Sequence, residues 1–131
     1  MTAADLTEDE CRFLLASQIF GRVGLTSGAL PVILPVEYVY DDGVITFRTE
    51  PDSKLRAAEH GDVLAFEVDG YDAGSGQGWS VHVLGRATVL TRDHEITALP
   101  TLDQSRGPAR HHYVRLHCEV MTGRRLVSSR L

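Results

Sequence analysis

Apolar positions near the N-terminus recur at helical spacing. Cys11, Leu14 and Leu15 fall on one stripe, and Thr7-Glu-Asp-Glu10 before them has the spacing of a capping box, so the pattern predicts an amphipathic helix over residues 7–18. From Phe20 the period drops to two. Phe20 to Thr26 alternates, and Ser27-Gly28 supplies a turn. Leu30 to Tyr40 is a long β-rich run carrying Pro31 and Pro35, which lack a ladder donor and place the strand where one edge of its backbone stays free. Asp41-Asp-Gly43 predicts a hairpin turn into Val44–Thr49. Asp52 reads as the N-cap of a short helix over 54–60, stopped by Gly61. Leu64, Phe66 and Val68 alternate with Ala65, Glu67 and Asp69, giving a half-buried strand, and a glycine-rich stretch over 70–78 reads as a loop. Trp79–Thr91 is then a long strand with Val81, Val83, Ala87 and Val89 on one face. A weak helix over 93–99 and a loop through Gly107-Pro108 lead to a last strand. There Val114, Leu116, Cys118 and Val120 point inward, while His111, Tyr113, Arg115, His117 and Glu119 point out. The sum is about six strands with two or three short helices and no strand–helix–strand alternation. That predicts a mainly β fold with peripheral α, a small antiparallel barrel in a single domain over 1–131.

Composition narrows the function. With 131 residues, 43% hydrophobic and 24% charged, the chain is of ordinary globular make-up, and no apolar run approaches the length of a membrane span. A net charge of −5 argues against non-specific nucleic-acid binding. The acidic N-terminus is unlike a signal peptide, and two distant cysteines fit a reduced, cytoplasmic setting. Charge is segregated: residues 1–103 carry a net −10 and residues 104–131 a net +5. The arginine-rich tail should therefore meet an anionic ligand or an acidic face of a second subunit. Twelve of the thirteen basic residues are arginine, and the one lysine is Lys54.

That lysine stands in the most informative segment, Phe47-Arg-Thr-Glu-Pro-Asp-Ser-Lys-Leu55. A strand ends in Arg48-Thr49, a turn follows, and a helix opens with Ser53-Lys54. Two cations, two hydroxyls and free backbone N–H groups would converge there, which is what a phosphate dianion requires. The competing reading is a solvated turn in which Asp52 neutralises Lys54 and Arg56. Gly74-Ser-Gly-Gln-Gly78 runs into a strand rather than a helix, so it is no dinucleotide loop. Trp79 is core or interface filler, or flanks a planar ligand with the Ser80 hydroxyl at its polar edge. The six histidines have no chelating spacing, so no metal site is expected, and no serine-nucleophile elbow occurs.

The order of these segments resembles the pyridoxamine 5′-phosphate oxidase-like flavoproteins, within them the small nitroimidazole-resistance-like branch. The resemblance is carried by the N-terminal helix, Phe20-Gly-Arg-Val-Gly24, Leu30–Tyr40, Phe47-Arg-Thr49 with Ser53-Lys-Leu55, Ala65–Asp69, Gly78–Gly85 and Thr122-Gly-Arg-Arg125. It implies a split β-barrel, usually a homodimer with two flavins at the subunit interface. It also implies that Arg48, Thr49, Ser53 and Lys54 clamp the phosphate of FMN and that the backbone of Leu34, Pro35, Val36 and Glu37 lies beside the isoalloxazine. Trp79 and Ser80 become flavin neighbours, supplied by the other subunit, with Arg124 and Arg125 as further candidates. The implied function is an FMN-binding oxidoreductase passing electrons to a small-molecule acceptor. The alternatives are an F420-dependent reductase of the same fold, or a non-catalytic flavin- or haem-binding carrier or sensor. The C-terminal arginine-and-histidine segment of true pyridoxamine phosphate oxidases is not recognisable, and Ser53 stands where drug-reducing relatives tend to have histidine. Neither vitamin B6 oxidation nor nitroimidazole reduction is therefore implied. No side chain stands out as a catalytic acid or base.

Overall fold

The computed structural model describes residues 1–90 and 112–130. The weak helix expected over 93–99, the Gly107-Pro108 loop and His111 lie outside the described residues. In chain order the elements are β1 (Thr2–Asp5), α1 (Glu8–Ser17), β2 (Phe20–Ser27), β3 (Leu30–Asp41), β4 (Val44–Thr49), α2 (Ser53–Glu59), β5 (Val63–Asp72), β6 (Gln77–Leu90), β7 (His112–His117) and β8 (Val120–Val127). All strand pairings are antiparallel. Six strands close on themselves in the order β6-β5-β2-β3-β4-β7 and back to β6, while β8 and then β1 extend the sheet from the other edge of β6.

Both hairpin turns at the ends of β3 follow from backbone chirality. Gly28 and Ala29 have φ of 56° and 66°, and Asp42 and Gly43 have 44° and 82°. Two successive left-handed residues make the turn whose twist matches the flanking strands. The closure depends on β6. Its first eight residues lie between β5 and β8, the next two stay with β5, and its last four turn onto β7. Gly85 marks the switch, because a Cβ there would overlap the His117 carbonyl. Alternate residues fill the barrel, with Val23, Tyr38, Phe47, Phe66, Val83 and Leu116 all buried. Helix α1 covers one end. Thr7 and Glu10 form the expected capping box, Cys11 and Leu15 are buried, and the Tyr38 hydroxyl donates to the Leu15 carbonyl at 2.6 Å.

Three expectations change. The last strand is two: β7 ends at His117 and β8 starts at Val120, where the chain leaves β4 and pairs instead with β6 and β1. Val120 is accordingly exposed, and Tyr113, expected to point out, is 1% exposed in a second small cluster with Leu90 and Val39. The stretch over 70–78 is mostly ladder, since β5 runs to Asp72 and β6 begins at Gln77.

Candidate functional site

The β4–α2 junction gathers Arg48, Thr49, Ser53 and Lys54 within one strand end, one turn and the first residues of a helix. Its organising group is Asp52. As the N-cap of α2 it accepts from the Lys54 and Leu55 backbone N–H groups at 2.9 and 3.4 Å. The Thr49 hydroxyl donates to Asp52 Oδ1 at 2.9 Å, and the Lys54 ammonium stands 2.8 Å from Oδ2. Burial pushes the Asp52 carboxyl up. The hydrogen bonds from Lys54 and Thr49, with the Lys54 charge, outweigh burial and hold the group below its usual 3.8. The Lys54 side chain is only 13% exposed, while Asp52 is 38% exposed and Glu50 and Pro51 of the turn are exposed. Asp52 does neutralise Lys54, as the competing reading holds, but an ammonium has three donors and the salt bridge uses one. Arg48 is half-buried, opposite Tyr113 in the β4–β7 register.

The second group lies on β3, where Leu34–Glu37 pairs only with β2 among the described residues, the β3–β4 ladder beginning at Tyr38↔Phe47. The Tyr38 N–H donates to the Ile19 carbonyl just before β2. Strand alternation therefore turns the even-numbered backbone groups toward β2 and the odd-numbered ones toward the other edge. Pro31 and Pro35 are both odd. Each omits its donor on that free edge, so the β2–β3 ladder loses nothing. Val36 is buried and Leu34 packs against the core, while Pro35 is exposed.

Trp79 and Ser80 point to opposite faces of β6. The Trp79 indole lies over Gly70, its ladder partner, and lines a cleft of about 410 Å³ with Asp9, Glu10, Phe13, Leu14 and Arg125. That cleft sits between α1 and the barrel, and its lining includes none of the β3 or β4–α2 residues. Ser80 is the ladder partner of Asp69 and Arg124. The arginine-rich tail meets the chain's own acidic helix, Arg125 standing 3.0 Å from Glu10. Sequence reasoning missed Tyr113, whose alternation gave no sign that both faces of β7 are covered. It also missed a slot on the outer face of the sheet that contains His82 and Glu67.

A closed six-stranded antiparallel barrel with helices at its margin defines the class, a split β-barrel. Residues 7–125 match the pyridoxamine 5′-phosphate oxidase family model, and the chain belongs to that family. It is 35% identical over 130 residues to the uncharacterized protein Rv0080 of Mycobacterium tuberculosis, covering 95% of this chain and 86% of that protein. Among solved structures it resembles an FAD binding protein from Mycobacterium smegmatis, 30% identical with a TM-score of 0.72 over 95% of this chain and 99% of that one. An FAD-binding protein from Mesorhizobium loti shares the fold at 23% identity, with a TM-score of 0.76 over 96% and 99% of the two chains.

Proposed function

We propose that the protein is a flavin-dependent oxidoreductase that holds FMN by its phosphate at the β4–α2 junction and passes electrons to a small-molecule acceptor. The observation that carries the reading is Lys54, an ammonium 13% exposed and held at 2.8 Å by Asp52 in a chain of this family. Lys54 and Arg48 supply charge to the phosphate, and Ser53 supplies a hydroxyl. The Thr49 hydroxyl, already donated to Asp52, keeps the clamp in place rather than reaching the ligand itself. The free edge of β3 at Leu34–Glu37 offers the Glu37 N–H and the Pro35 and Glu37 carbonyls to the polar rim of a planar ring. When bound, the flavin supplies the electron transfer, and the chain supplies orientation and charge.

A homodimer completes this arrangement. Trp79 faces the α1 cleft rather than the β3 edge of its own protomer. Ile19 and Phe20, 60% and 67% exposed, lie on the β2 side of β3 as apolar surface a second copy would cover. Trp79 and Ser80 then reach the ring only from the partner. A second reading, FAD in place of FMN, is favoured by the FAD binding protein of Mycobacterium smegmatis. The test is mass spectrometry of the chromophore released from purified protein, followed by titration of stripped protein with FMN, FAD and F420. FMN released and rebound supports the first reading, and FAD supports the second. A colourless protein that takes up no flavin overturns both.

A further inference from the structure

The donors at the β4–α2 junction suit an anion, and an anion already holds them. The Thr49 hydroxyl and the Lys54 and Leu55 N–H groups reach Asp52 Oδ1 at 2.9, 2.9 and 3.4 Å, and the Lys54 ammonium reaches Oδ2 at 2.8 Å. Thr49 and Leu55 are buried, so the carboxylate is gripped from the protein side while its own side chain is 38% exposed. Burial raises its pKa, but the hydrogen bonds from Lys54 and Thr49, with the Lys54 charge, bring it below the usual 3.8. Asp52 therefore carries its full charge at neutral pH.

A phosphate drawn to Lys54 meets that fixed negative charge. An oxygen bound to the same ammonium at ordinary hydrogen-bond length lies about 4–6 Å from Oδ2. The donors that would offset the repulsion, Thr49 and the backbone at the head of α2, are already spent on Asp52. Repulsion scales with the charge on the ligand. A terminal phosphate monoester carries about −1.5 to −2 at pH 7, and a phosphate linked on both sides carries about −1. The Lys54 and Arg48 cations favour the more highly charged group, and Asp52 opposes that preference.

We infer that Asp52 sets the clamp's choice of phosphate. It weakens the hold on the terminal monoester of FMN more than the hold on FAD, whose two phosphates are each linked on both sides. Asp52 is thus a specificity-determining residue, acting through its charge and its grip on Lys54. The inference rests on the reading of this junction as the flavin phosphate site. It does not depend on where a second copy packs.

The test is titration of stripped full-chain protein with FMN, FAD and riboflavin at neutral pH, followed by flavin fluorescence, for the wild type, Asp52→Asn and Asp52→Ser. Asparagine and serine keep an N-cap acceptor for α2 and remove the charge. FMN binding is expected to tighten about tenfold or more in both variants, and FAD binding by a smaller factor. Riboflavin, which has no phosphate, is expected to bind with unchanged affinity. FMN affinity that stays the same or falls in both variants overturns the inference, because Asp52 then serves only to orient Lys54. An equal gain for FMN and FAD, or a gain shared by riboflavin, overturns it too. A gain confined to one variant reports a new contact rather than a lost charge, and is equally fatal. The parent reading fails in a different way: wild type that binds FMN no tighter than riboflavin has no phosphate site at this junction, and both fall.

Discussion

Lys54 makes the phosphate proposal testable at one atom. Replacing it with alanine removes a charge-assisted contact of ~1.5–3 kcal/mol, roughly ten- to a hundredfold in affinity. The expected result of titrating Lys54→Ala is that loss for FMN with riboflavin, which has no phosphate, unaffected. Equal losses for both would place the effect in the fold instead. Asp52 makes a second prediction, in pH. Its carboxyl is held below its usual 3.8 in the folded state, so it stabilises the fold fully above that value. The stabilisation is lost as pH falls through the lower, folded pKa. Asp52→Asn keeps a good N-cap but has no such dependence. In urea unfolding, the wild type's advantage over Asp52→Asn should therefore be larger at pH 7 than at pH 3, and an equal gap at both would refute the assignment. Lys54 was legible in the sequence because it is the one lysine and stands in the first turn of a short helix. That its neighbour Asp52 would bind it and Thr49 together was legible only as the rival reading, since residue order does not say which partner an ammonium chooses.

Among the elements, α1, β2, β3, β4 and α2 follow from pattern and turn chemistry, because each has caps, left-handed turn residues or alternation of its own. The end of the chain was less legible for a physical reason. The alternation Val114, Leu116, Cys118, Val120 continues across Cys118-Glu119, where β7 gives way to β8, so a period of two cannot see the break. Strand β1 is exposed at all four positions and buries nothing that would make a pattern. Gly85 is the element-scale constraint, where β6 passes from its β5 and β8 partners to β7. A methyl there meets backbone at His117, which cannot swing away as a side chain would. Gly85→Ala should cost about 1–3 kcal/mol or more. Gly43, whose Cβ would meet nothing within 4 Å, is a poor control because its φ is 82°. Gly24 is the better one: a Cβ there meets the Ala65 Cβ at 3.4 Å and the Ala65 carbonyl at 4.0 Å, both ordinary contacts. A thermal midpoint for Gly85→Ala no lower than that of Gly24→Ala would mean β6 can shift its course.

At the scale of the whole molecule, the charge asymmetry pointed to a ligand or a partner, and the fold uses part of it internally. Arg125 pairs with Glu10 of α1, and Asp5 of β1 is the ladder partner of Arg124. The tail's attraction is thus partly met within one chain, and the case for a second copy rests on the division of the proposed site instead. The β4–α2 cations and the β3 edge belong to one region of the barrel, while Trp79 lines the α1 cleft. If a flavin spans two protomers, binding and association are linked, and each must strengthen the other. Stripped protein should sediment as a mixture whose dimer fraction rises when FMN is added, and its thermal midpoint should rise with protein concentration as well as with FMN. Trp79→Ala should weaken FMN binding even though Trp79 does not line the clamp region of its own chain. A monomer that binds one FMN tightly and stays monomeric would leave the phosphate clamp standing but remove the partner from the site.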